Sequence, residues 1–213
     1  FDAEMQLSSL SDAQGQYYLG DLLLHMNRLN EAEAQLQKAA ALDPQFSGSY
    51  ASLALLKVRQ GKWQEALQPL ARAVEADSKN YLAHYYYAYM LQQRADAGSA
   101  NEDMTAWDVV RTHTERAIEL APHFAEAYGM LGYVALVSKQ KTVEAEDALK
   151  KAIGYAPGRL DLRLRLAELM VVNNEAPTAR TLLTVLQNSG SDDRIRMQAD
   201  RLLENIKNRE DYE

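Results

Sequence analysis

One triplet of residues returns along this chain at a nearly fixed interval. It reads Ala32/Leu36/Ala39, Ala66/Leu70/Ala73, Val110/Thr114/Ala117, Ala145/Leu149/Ala152 and Ala179/Leu183/Leu186. The first members lie 34, 44, 35 and 34 residues apart. A period of this length restricts a chain to stacked copies of one small unit, because no copy can bury its apolar stripe alone. The four-then-three spacing inside each triplet follows one face of a helix. Upstream of each triplet a large residue precedes a small one: Leu19-Gly20, Leu53-Ala54, Tyr87-Ala88, Leu131-Gly132 and Leu166-Ala167. Two helical patterns per unit imply two helices per unit. Composition agrees, since 32 Ala and 30 Leu against 10 Val and 4 Ile leave little material for a sheet.

The period divides the chain into a leading segment 1–12, repeats at 13–46, 47–80, 81–124, 125–159 and 160–190, and a closing segment 191–213. Ten extra residues fall in the third repeat, where the small polar stretch 95–103 reads as an exposed loop between that repeat's helices. Ser11 with Gln14 and Asn30 with Glu33 have the spacing of capping boxes. Ser47 and Asn80 open further helices, Gly61 marks a turn, and Pro69 falls inside the fourth helix. The fifth helix is expected from Tyr81 to about Arg94. Residues 159–166 alternate apolar and polar with period two, as a strand would, but the repeat register and their leucines make them helix. In 191–213, Ile195, Ala199, Leu202 and Ile206 form one stripe, as a terminal capping helix requires. Residues 1–12 read as the remnant of a preceding helix.

These columns, closed by Pro44, Ser78, Pro122 and Pro157, resemble the tetratricopeptide repeat over about residues 13 to 188. The family favours Trp where this chain has Gln16, Tyr50, His84, Tyr128 and Arg163, and late Phe where it has Leu36, Leu70, Thr114, Leu149 and Leu183. The resemblance implies an all-α, right-handed superhelical α-solenoid of helix-turn-helix repeats, with residues 191–213 as its C-terminal cap. It also implies a concave surface lined by the first helix of each repeat. The positions it assigns to that surface include Tyr17, Asp21, Leu55, Tyr85, Tyr89, Tyr133, Leu164 and Glu168, an aromatic and aliphatic trough with acidic flanks. Such a trough suits a protein or peptide segment with apolar anchors and some positive charge. The family's carboxylate-binding mode needs Lys, Arg and Asn at these positions, and only Arg59 and Arg165 fall near them. Tyr87 is expected in the core.

Little else points to chemistry. The chain has 23 Lys and Arg against 30 Asp and Glu, a net charge of -7, which argues against nucleic acid as a partner. With no Cys, thiolate metal sites, disulfides and cysteine nucleophiles are excluded. His25, His84, His113 and His123 lack the spacing of a zinc site, and no phosphate loop or serine elbow occurs. The expectation is a non-enzymatic protein-interaction scaffold without cofactor, metal or membrane-spanning segment. Two rivals stay open: a regulatory or targeting module of a larger bacterial polypeptide that carries an enzyme, and a self-assembling protein that buries Tyr17, Tyr85 and Tyr89 in a homodimer. The start at Phe1 rather than Met favours the first rival. Cytoplasm and periplasm suit a Cys-free chain equally.

Overall fold

A computed structural model describes residue 3 and residues 11–97, 104–188 and 192–210. Among these residues there are eleven helices and no strand. They are α1 Ala13–His25, α2 Leu29–Leu42, α3 Ser47–Arg59, α4 Trp63–Glu75, α5 Tyr81–Ala97, α6 Met104–Leu120, α7 Ala125–Ser138, α8 Thr142–Tyr155, α9 Leu160–Val172, α10 Ala176–Asn188 and α11 Asp193–Glu210. The chain divides into two compact units, Phe1–Ala100 and Asn101–Glu213. The division falls inside the third sequence repeat, at the ten-residue insertion. Residues 95–97 of that insertion continue α5, three residues past the expected end, and 98–103 lie outside the described residues.

Within the first unit α1 packs on α2, α2 on α3, α3 on α4 and α4 on α5, and α1 and α5 each also touch α3. The second unit repeats the scheme from α6 to α11, with α9 touching both α7 and α11. All fifteen triplet residues are at most 2% exposed, so the column read from the sequence is the buried seam between helices. The large-then-small pattern is what lets helices approach. A Cβ on Gly20 would stand 2.7 Å from Leu36 Cγ, and one on Gly132 would stand 2.9 Å from Leu149 Cδ1. Each glycine thus faces the middle residue of its own repeat's triplet.

The turns between paired helices share a device. Asn27, Gly61 and Asn174 have φ of 59°, 72° and 63°. The next residue's N–H then bonds back to a carbonyl five residues earlier, Arg28 to Leu23, Lys62 to Lys57 and Glu175 to Met170. This left-handed closure satisfies carbonyls that the helix end would otherwise leave bare. The turn 139–141 has the same three residues as the others but a different backbone, with Lys139 and Lys141 both at positive φ. The extra residue behind the 35-residue spacing lies in α7, which has 14 residues where α1, α3 and α9 have 13.

Where the family favours Trp, this chain uses polar side chains as latches. His84 Nε2 donates to the Ser78 carbonyl at 3.0 Å, Tyr128 Oη to that of Pro122 at 2.9 Å, and an Arg163 nitrogen to that of Pro157 at 2.9 Å. In each case the acceptor is six residues upstream, in the column that ends the previous repeat. Arg111 is buried and tied to Asp108, Ser138 and Gln140, which fixes α6 to the end of α7 and the turn after it.

Several local expectations are corrected. The first helix is capped by Asp12, whose carboxylate accepts from Gly15 N–H at 2.8 Å, and not by a Ser11/Gln14 box. The second starts at Leu29 with no side-chain cap; Arg28 pairs with Glu31 there, so Asn30 and Glu33 lie inside the helix. Asn80 does cap α5, accepting from Leu82 N–H. Residues 159–166 are helical from Leu160 on, with Leu162, Leu164 and Leu166 all buried. In α11 Ile195, Ala199 and Ile206 are buried and Leu202 packs on the same core.

Candidate interaction site

In the first unit, aromatic side chains gather where the start of α4 passes the second half of α5. Gly61 reverses the chain, so Trp63 becomes the first residue of α4 and stands beside α5. Tyr86, Tyr89, Met90 and Gln93 follow at helical intervals on the facing side of α5. The Trp63 ring lies 5.9 Å from Tyr86 and 5.8 Å from Tyr89, tilted by 67° and 56°. Tyr85 stacks on Tyr89 at 6.5 Å and touches Tyr86 at 5.4 Å. An open cleft of about 450 Å³ is lined by Trp63, Gln64, Leu67, Tyr89, Met90, Gln93 and Arg94. Tyr86, Tyr87 and Met90 pack against the core of this unit, and Tyr89 lines the cleft.

The other expected site residues are placed differently. Tyr17 meets Phe46 edge-on at 5.0 Å and Tyr18 at 5.2 Å, and its ring approaches Gly48. It is half-buried between α1 and the start of α3. Burial, then the nearby Asp21 charge, push its phenol above the usual range. Asp21 accepts from the Ser52 hydroxyl at 3.3 Å and lies 3.5 Å from His25 Nδ1. Leu55 is half-buried on α3.

In the second unit Tyr133 lies 6.0 Å from buried Trp107, and the Arg165 guanidinium sits 5.2 Å over its ring. Arg165 also holds Glu168 at 3.1 Å. Burial pushes the Glu168 carboxyl upward, against the opposing pull of Arg165. Leu164 is buried in the core and presents no surface. The acidic flanks are engaged as well, because Arg159 bonds both Glu126 and Asp161 at 2.8 Å. Its hydrogen bond and charge hold Asp161 below the usual carboxylate range.

Of the residues placed on the groove by helical phase, Tyr89 lines this cleft and Tyr85 stacks on it, beside Trp63, Leu67 and Arg94, which helical phase did not single out. The missed residues include two from a second helix, which a trough built from first helices does not contain. The available signal was an exposed Trp at the opening position of α4, one turn ahead of buried Ala66. No cluster of His, Asp or Glu fit to hold a metal occurs among the described residues. No described helix is long and apolar enough to cross a membrane.

Profiles of the tetratricopeptide repeat match residues 13–46 and 136–202. The chain belongs to the tetratricopeptide repeat family. Such repeats are protein–protein interaction scaffolds, and the fold is theirs. A third profile, Regulator of microtubule dynamics protein 1-3, matches residues 56–136 of this repeat protein. It is 28% identical over 169 residues to human protein O-mannosyl-transferase TMTC3, spanning 79% of this chain but only 17% of that protein. Among solved structures it resembles YrrB, a tetratricopeptide protein with an unusual peptide-binding site, at TM-score 0.71 and 19% identity. That match covers 90% of this chain and 93% of the other. Pseudomonas aeruginosa pilF gives TM-score 0.58 at 20% identity, over 93% of this chain and 86% of its own. Yeast Tom70 gives 0.57 at 19%, over 97% of this chain and 42% of its own.

Proposed function

We propose that this repeat protein is a non-enzymatic scaffold that binds a peptide or protein segment at the α4–α5 aromatic cleft. The observation that carries this reading is Trp63, 37% exposed, walled by Tyr89 and open to solvent along an apolar floor of Leu67 and Met90. Aromatic side chains held by their neighbours offer large contact area at little entropic loss, which is why they dominate interface energetics. The peptide-binding site of YrrB, a protein of the same fold, agrees with this reading. The basic character expected of the ligand loses its support, because Asp21, Glu126, Asp161 and Glu168 already have partners within the chain.

The test is partner capture on the purified chain, followed by titration of the captured protein. Tyr89→Ala should weaken binding by about 2 kcal/mol, as loss of a central aromatic anchor does. Tyr87→Ala should instead lower the melting temperature. Equal stability losses for the two variants, with affinity unaltered, would make the tyrosines core and remove the cleft from consideration.

A second reading is that the chain serves as the repeat module of a larger enzyme-bearing polypeptide. It is favoured by the match to a mannosyl-transferase of which this chain spans 17%. Gene context separates the two readings.

A further inference from the structure

The polar groups around the α4–α5 cleft are exposed side chains that make no bond among the described residues and so stay available to a ligand. Trp63 Nε1–H, the Gln64 and Gln93 amides and the Arg94 guanidinium make no hydrogen bond or ion pair among the described residues. Elsewhere Gln14, Gln37, Gln92 and Gln187 each donate to a neighbouring side chain. Among the described residues Arg94 is also the one charged side chain lining the cleft, in a chain whose net charge is -7. The cleft thus offers aromatic faces, neutral donors and a single positive charge.

We propose that the cleft takes a proline-rich segment in the polyproline II conformation, flanked by an acidic residue that reaches Arg94. The proposal rests on the reading of this cleft as the peptide site and names the ligand's chemistry. A polyproline II strand has no internal hydrogen bonds, so every carbonyl along it needs an outside donor. Gln64, Gln93 and Trp63 supply donors at the rim, and the Trp63 and Tyr89 rings, inclined at 56°, form two walls on which a pyrrolidine ring packs. A helical ligand brings its backbone already paired and leaves those donors unused. An added β-strand needs a sheet edge, and no strand occurs among the described residues. One guanidinium, with no carboxylate among the described lining residues, selects an acid beside the prolines and repels a Lys there.

The full chain is titrated with three acetylated peptides, and Trp63 emission reports binding, since Trp107 is buried and senses the ligand less. The probes are six prolines followed by Asp-Asp, six prolines followed by Lys-Lys, and an alanine-rich helical peptide ending in Asp-Asp. The first is expected to bind, the second at least tenfold more weakly, and the third without saturation. Tyr89→Ala should weaken the first peptide at least tenfold. Arg94→Glu, at an exposed position that does not threaten folding, should reverse the order of the first two. Equal binding of the first two peptides would overturn the acidic flank. Saturable, Tyr89-dependent binding of the helical peptide alone would overturn the polyproline assignment and leave the cleft reading standing. If no peptide shows Tyr89-dependent binding, the polyproline assignment falls. If partner capture is also indifferent to Tyr89→Ala, the cleft reading falls with it.

Discussion

Gly20 and Gly132 occupy the same column, yet their surroundings predict different penalties for an added methyl. At Gly20 the new Cβ would sit 2.7 Å from the branch carbon of Leu36 and 3.2 Å from its backbone nitrogen, and neither can swing aside. At Gly132 it would meet Arg165 Cγ at 2.8 Å and Leu149 Cδ1 at 2.9 Å, side-chain atoms only, though Leu149 is buried and Arg165 is held by Glu168. Replacing a helical Gly by Ala returns about 1 kcal/mol of propensity, against an overpacking cost of about 1–3 kcal/mol. Gly20→Ala should therefore lose about 1–2 kcal/mol and Gly132→Ala less, because no backbone atom blocks it there, read from urea midpoints. Glu168 supplies a second prediction at this scale. Burial raises its folded-state pKa above the unfolded value, so its contribution is fully present below the unfolded pKa and is lost as pH rises through the folded pKa. Glu168→Gln should raise the melting temperature relative to the parent more at pH 7 than at pH 4. A difference that is the same at both pH values would mean that the Arg165 contact fully offsets burial.

Among the elements, α4 breaks its own propensity. Pro69 lies in the helix interior, where it removes a backbone donor and crowds the carbonyl of Glu65. The helix persists because Ala66, Leu70 and Ala73 are all fully buried against neighbours, so packing overrides the local penalty. Pro69→Ala should restore the missing bond. The gain is at most roughly 3 kcal/mol, reduced by up to about 1 kcal/mol because the unfolded chain becomes freer. A net increase of about 1–2 kcal/mol in chemical denaturation is expected. No change would mean that the surrounding helices hold α4 in a kinked form. The same dominance of packing explains the absent caps. Lys62, Phe46, Phe124 and Arg159 precede helices without any side-chain cap bond, which tertiary contacts tolerate.

For the whole molecule, each compact unit contains its own buried seam. In the second unit one continuous cluster runs from Ala125 to Ile206, and α11 closes it with Ile195, Ala199 and Ile206. Repeat arrays gain stability from such nearest-neighbour interfaces, so a part with an intact seam and a cap can fold alone. A fragment of residues 104–213 should keep a helical circular dichroism spectrum and unfold cooperatively with urea. Removing residues 192–213 from it should abolish that cooperativity, because Leu183 and Leu186 would lose their cover. Burial is worth about 1.5–3 kcal/mol for a side chain of this size. A fragment that stays helical and cooperative without α11 would show that this helix is dispensable.

The 34-residue period determined the helical fold and the buried columns before any coordinates, because a seam shared by every repeat constrains residue type in each copy. Ala32, Ala66, Ala145 and Ala179 had to be small, and Leu36 or Leu70 had to be large. The cleft had no such legibility. Tyr85 and Tyr89 could be phased to an open face, but nothing in α5 said that Trp63 of α4 would stand against them. Asp21, Glu126, Asp161 and Glu168 read as a free acidic rim until Ser52, Arg159 and Arg165 were found bonded to them. Leu164 fitted the pattern of a groove residue and lies in the core. Periodicity records what each helix shows to the same neighbour in every repeat. Which side chains from different helices share one cleft, and which charges are already paired, depends on contacts that occur once, and only the tertiary structure decides those.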